Sequence, residues 1–209
     1  GLGGLVGGVA VPMRPDFKAA VLNTAGVGLV DLFENTESLQ IRCGVVDALV
    51  AFGIIPGEVS NFAVSPPTGT CLSQEWKTLP EYLEFANVAR WILDPADGIN
   101  FVDRLVGRSV FVQETDQDNT VPNVSTDNLV QLLGTNALEA AIYTGSPIPP
   151  NPSPSVLSGS RTPLHLRYIS IDSPAPNAYD HFSLLAPAED TGAAGQLGTA
   201  QMQTDAITY

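Results

Sequence analysis

Two kinds of apolar block succeed one another along this chain. Short continuous apolar runs bounded by glycine or polar residues suit strands buried on both faces, whereas apolar positions recurring every three to four residues mark one face of a helix. Runs of the first kind are Phe17 to Asn23, closed by Gly26, then Ser109 to Gln113, and Leu164 to Ile171. Helical patterns cover Leu2 to Val11, stopped by Pro12, and Ser125 to Leu133, closed by Gly134; glycine past the last turn supplies a C-cap. A short helix is expected from Asp94 to Phe101, with acids and a proline in its first turn, and a last one from about Gly195 to the C-terminus. Strand and helix alternate, which predicts an α/β fold with a parallel sheet.

Between these blocks the pattern changes. From Val27 to Ile92 it breaks into amphipathic pieces, among them Val45 to Phe52 and Pro80 to Leu93, where Tyr82, Phe85, Val88, Ala89 and Ile92 fall at helical spacing. The expected organisation is a core formed by residues 1–26 and 93–209, with residues 27–92 as a largely helical cap or lid; the same pattern also suits helices packed as plain core. Ser65 to Gly69 and Gly145 to Gly159 concentrate proline and glycine and are read as exposed loops.

Composition narrows the partners. With 209 residues, 44% of them hydrophobic, the chain can bury a substantial core. Twenty-two acidic residues against nine basic ones leave a net charge of −13. A nucleic-acid partner needs a basic surface, so none is expected, and an anionic membrane surface is disfavoured too. No run reaches the ~18 apolar residues of a membrane span. Cys43 and Cys71 are too few and too far apart for a metal site. They fit either one disulfide in an exported protein or two buried free thiols. Export would place the protein outside the cell or in the cell envelope, and its signal segment would lie upstream.

The first eight residues, GLGGLVGG, hold Gly1, Gly3, Gly4, Gly7 and Gly8. Glycine costs the most entropy to order and is placed where backbone turns sharply or approaches something closely, so the stretch reads as the middle of a structural element. Leu2 to Gly7 resembles the second half of the nucleophile elbow of α/β-hydrolases of the lipase and esterase kind, whose G-x-S-x-G turn joins a strand to a helix. Gly1 then falls on the serine. Later, Asp118-Asn119-Thr120-Val121-Pro122 follows a strand and precedes a helix, and His181 lies in a loop between the last strand and the terminal helix. Nucleophile, Asp, His is that superfamily's order.

The resemblance implies an α/β-hydrolase-like, mostly parallel sheet represented by its second half only. It implies a serine carboxylesterase or lipase working through an acyl-enzyme on a small-molecule or lipid ester, with no cofactor and no metal. Asp118 would orient the imidazole, with Asp116 as the alternative acid, His181 would be the base, and the Leu2 N–H would be one oxyanion donor. His165, alternating with Leu164 and Leu166 in a strand, is expected to be structural, and Asp180 a turn residue. Three accounts of Gly1 compete: a chain that starts after processing or a break, a replaced or misassigned serine, and a pseudo-enzyme. The first two are preferred, because a pseudo-enzyme would still need its earlier strands. On that register Gly1 should sit against His181, and a strand from a companion chain or upstream segment should pair beside Phe17 to Asn23. A non-catalytic binding protein and a serine peptidase on the same fold are the alternative functions.

Overall fold

The computed structural model describes residues 1–134, 137–142, 163–170, 179–188 and 191–209. Its centre is the strand β2, Ser109–Thr115, whose residues from Val110 onward are all buried. Such a strand must be paired on both edges and covered on both faces. β1, Ala19–Asn23, runs parallel on one side with Val21 opposite Phe111. β4, Leu164–Ser170, runs parallel on the other with Gln113 opposite Leu166, and β3, Ala137–Ile142, pairs with the far side of β4. The order is β1-β2-β4-β3, all parallel. The chain is thus a mixed α/β protein.

Side chains alternate across the sheet as the pleat requires. Val110 and Val112 join Leu22, Leu105, Leu129 and Leu133 in one cluster, under helix α5, Asn123–Leu133. Phe111 joins Leu166, Tyr168, Tyr179 and Met202 in another, under α6, Gly192–Thr208. β3 has no counterpart in the sequence expectations. Its segment, Ala-Leu-Glu-Ala-Ala-Ile, is made largely of good helix formers, so pairing with β4 has overridden local preference. The Asp94 to Phe101 helix is instead two 3₁₀ turns, Asp94–Ala96 and Gly98–Arg104. The loop expected at Gly145 to Gly159 lies outside the described residues.

Helix α1, Leu2–Met13, carries the glycines. A Cβ at Gly4 would stand 2.5 Å from the Asn23 carbonyl oxygen, and one at Gly7 would stand 2.8 Å from the Leu22 side chain. Missing side chains let α1 lie directly on the end of β1. Gly3 faces open space and has no such reason. Pro12 falls inside the helix, which continues one residue beyond it; its missing N–H costs only one bond in the last turn.

The insertion has its own core. Helices α2, Leu29–Asn35, α3, Leu39–Ala51, and α4, Pro80–Leu93, enclose Val46, Leu49, Trp76, Tyr82 and Ala86. Trp76 and Tyr82 meet edge to face with centroids 4.7 Å apart. Cys43 and Cys71 are bonded to each other inside this cluster, which decides between the two sequence readings. At the base of the insertion the buried Asp97 carboxylate accepts hydrogen bonds from the N–H groups of Gly28 (2.9 Å), Leu29 (2.6 Å) and Ile99 (3.1 Å), tying the outgoing chain to the returning one.

Two measurements test this description. The disulfide closes a 28-residue separation, worth about 3–4 kcal/mol in the loop-entropy account. The double Cys43→Ala, Cys71→Ala variant should lose that much stability in a denaturant titration, and the denatured, unreduced parent should show no free thiol. The second concerns Asp205, on the buried face of α6, which accepts hydrogen bonds from Tyr168 Oη at 2.8 Å and Gln201 Nε2 at 2.8 Å. Burial pushes its carboxyl up, against the pull of those two bonds. The folded protein therefore holds this proton more tightly than the unfolded chain, a contribution present in full below the unfolded pKa of about 3.9 and lost as pH rises through the raised folded value. Asp205→Asn should unfold at higher denaturant than the parent at pH 7, and the gap should shrink toward zero as pH falls to about 4.

Candidate functional site

Parallel strands deliver their loops to one end of the sheet, and in open α/β sheets ligands bind at the carboxyl ends of the strands. Three segments meet there: position 1 at the start of α1 beside the end of β1, the loop after β2, and the loop before α6. The Gly1 nitrogen donates to the Asn23 carbonyl at 3.0 Å and to Thr24 Oγ1.

The loop after β2 is shaped around its carboxylate. Asp118 Oδ1 accepts the N–H groups of Thr120 at 2.8 Å and Val121 at 2.9 Å, which fixes the side chain against its own loop. Its Oδ2 lies 2.8 Å from His181 Nδ1, 63 positions away in sequence. A carboxylate only accepts, so Nδ1 carries the hydrogen and the neutral ring keeps its lone pair on Nε2. That nitrogen faces position 1: a Cβ built on Gly1 would overlap it. Phe182 meets the imidazole edge to face at 4.9 Å.

The structure therefore brings together Gly1, Asp118 and His181. The carboxylate on His181 is that of Asp118, while Asp116 joins the sheet through its N–H to the Tyr168 carbonyl at 2.8 Å. Asp180 Oδ1 accepts from Phe182 N at 2.8 Å and from Ser183 Oγ at 3.1 Å, a turn built by its own side chain. Leu2 is the first residue of α1, where N–H groups have no carbonyl partner within the helix, and its side chain is 77% exposed. His165 is fully buried on β4 with Nε2 2.7 Å from Glu114 Oε1.

Three supporting residues were not legible beforehand. Glu114 accepts Asn123 Nδ2 at 2.7 Å and Arg167 Nε at 2.8 Å, and the same Asn123 amide donates to the Thr115 carbonyl at 2.8 Å. Asn123 thereby closes the base of the Asp118 loop. Burial pushes the Glu114 carboxyl up, but the bonds from His165 and Asn123 and the Arg167 charge outweigh it and hold it below the usual carboxylate range. Thr24 is buried and left-handed at φ 44°, an outlier for a β-branched residue that concentrates at functional sites. Only a polar residue at a strand end signalled it. A cavity of about 710 Å³ opens between the two loops, with Gln117, Asp118 and Thr120 on one wall and His181, Phe182 and Pro187 on the other.

Among the described residues no group of His, Cys, Asp and Glu could hold a metal ion, and no helix is long and apolar enough to cross a membrane. Compared with known proteins, the chain matches no family model, no curated protein and no solved structure. Function has to be read from the site itself.

The hydrogen bond between Asp118 and His181 makes a direct prediction. In the parent at alkaline pH, ¹⁵N resonances of His181 should show one tautomer, protonated at Nδ1. Asp118→Asn should populate both tautomers, because its amide can present either a donor or an acceptor to the ring. It should also cost about 1–3 kcal/mol in stability if its Nδ2 replaces the oxygen that Thr120 and Val121 address. A single unchanged tautomer in that variant would refute the assignment.

Proposed function

We propose that this chain carries the acid and base of a serine ester hydrolase of the α/β-hydrolase kind, with position 1 at the place of the nucleophile. One observation supports this above the others: a side chain on residue 1 would point straight at His181 Nε2, whose other nitrogen is held by Asp118. Base, orienting acid and nucleophile position follow the order nucleophile, Asp, His, at the carboxyl ends of parallel strands.

With serine at position 1, His181 Nε2 would take the hydroxyl proton as Oγ attacks the ester carbonyl, and Asp118 would stabilise the imidazolium. The Leu2 N–H would face the developing oxyanion. His181 would return its proton to the leaving alkoxide, giving the alcohol and the acyl-enzyme. Water, activated by the same imidazole, would release the acid. The same steps would serve an amide, which keeps a serine peptidase in view. Glycine supplies no Oγ, and here the imidazole fills the room a side chain would need. That observation favours a second reading, a non-catalytic binding protein with this fold.

The sheet supports a companion strand. β1 has β2 as its single partner among the described residues, Val21 and Phe17 are exposed, and α1 presents Leu2, Val6 and Met13 to solvent. A parallel strand from an upstream segment or another chain would pair along this edge and cover that face. An exported location agrees with the disulfide.

The test is Gly1→Ser, treated with a fluorophosphonate and assayed on p-nitrophenyl butyrate. The variant should gain a phosphonyl adduct on residue 1 and measurable ester turnover. His181→Ala in that background should lower turnover by roughly 10³-fold or more. A folded Gly1→Ser protein that takes no adduct would overturn the hydrolase reading and leave the binding one.

A further inference from the structure

The helical insertion is stitched to the loop that carries Asp118. Where α2 gives way to α3, the N–H groups of Glu37 and Ser38 donate to the Asn119 carbonyl at 3.0 and 2.8 Å. The Thr36 hydroxyl lies 3.1 Å from that same carbonyl and 3.0 Å from the carbonyl of Thr120, so its one proton is shared between them. Its oxygen in turn accepts the Ser38 N–H at 3.2 Å. Thr36 is 1% exposed, so water does not compete for these bonds. The two carbonyls belong to the residues directly after the acid, and Thr120 is also one of the two residues whose N–H groups hold Asp118 Oδ1. The peptide groups around Thr120 thus face the insertion with their oxygens and the carboxylate with their nitrogens.

We propose that Thr36, with Glu37 and Ser38, is a positioning element for Asp118: the base of the insertion serves as a brace that holds the acid loop at the angle His181 requires. This rests on Asp118 and His181 being the acid and base of the site, as argued above. Covering the site is a different role, and the brace operates whether or not the outer part of the insertion moves. The loop is then held from two sides, by Asn123 at its base and by Thr36 at its crown, and the loss of either should free the Asp118 carboxylate to rotate.

The experiment reads His181 directly and so does not depend on a nucleophile. Solvent exchange of the His181 Nδ1 proton is measured by NMR in the parent and in Thr36→Val, which keeps the shape and removes the hydroxyl. Exchange should quicken by about tenfold, the usual net effect of one lost buried hydrogen bond. Thr36→Ser should restore the parent rate. Tyr82→Phe, which removes a hydrogen bond to Glu34 elsewhere in the insertion, should lower stability and leave the exchange unchanged. If Thr36→Val does not fold, Ser38→Pro removes a different donor at a residue whose φ of −61° already suits proline, and it should quicken exchange in the same way. Parent-like exchange in a folded Thr36→Val or Ser38→Pro protein, or equal quickening in Tyr82→Phe, would overturn the proposal. In the Gly1→Ser background, failure to take the fluorophosphonate while the exchange pattern holds would remove the hydrolase reading and leave the brace intact.

Discussion

How closely α1 can approach β1 decides where everything else at the site must be. With side chains at positions 4 and 7 the helix would stand off from Asn23 and Leu22, and position 1 would swing away from His181. Glycine at both positions lets the helix rest on the strand end, so the first residue lands against an imidazole delivered by a loop some 180 positions later in the chain. The entropic cost of ordering glycine is accepted in return for that distance. Thr24 belongs to the same contact, since its left-handed backbone turns Oγ1 onto the nitrogen of residue 1.

The second constraint is the rigidity of the acid loop. Asp118, whose Oδ2 faces the His181 imidazole, is not a free rotor, because two amides of its own loop hold its other oxygen. That loop is anchored beside a charged cluster on β2, where the Glu114 carboxylate accepts hydrogen bonds from Arg167 and Asn123 and lies 2.7 Å from His165 Nε2. The sheet interior thus contributes to the site through Asn123.

Much of this was readable from the chain. Strands β1, β2 and β4 announced themselves as apolar runs because burial on both faces leaves little room for polar residues, whereas position 1, Asp118 and His181 were picked out by the resemblance of their motifs, in that order, to a known superfamily. β3 was hidden because its alanines and glutamate favour a helix, and only pairing with β4 makes it a strand. Glu114 was hidden for a different reason. A single acid in an apolar run carries no sign of its partners, and Arg167 and Asn123 become neighbours only when β2, β4 and α5 assemble. Thr36 lay in a polar linker between two helices, and nothing local distinguishes such a threonine from one facing water. The pairing of Cys43 with Cys71 was open for the same kind of reason, since spacing does not tell a bond from two buried thiols.

The Asp97 carboxylate, which binds the amides at both ends of the insertion, has a consequence for how this fold can change. It makes the exit and return of residues 27–92 a closed junction whose bonds are local to it. A different loop or helical unit spliced between the same two points would keep these three bonds. The contacts of Thr36 lie beyond the junction and would be discarded with the old insert. A graft at this point would inherit the junction but lose the hydrogen bonds that Thr36, Glu37 and Ser38 make to the carbonyls of Asn119 and Thr120.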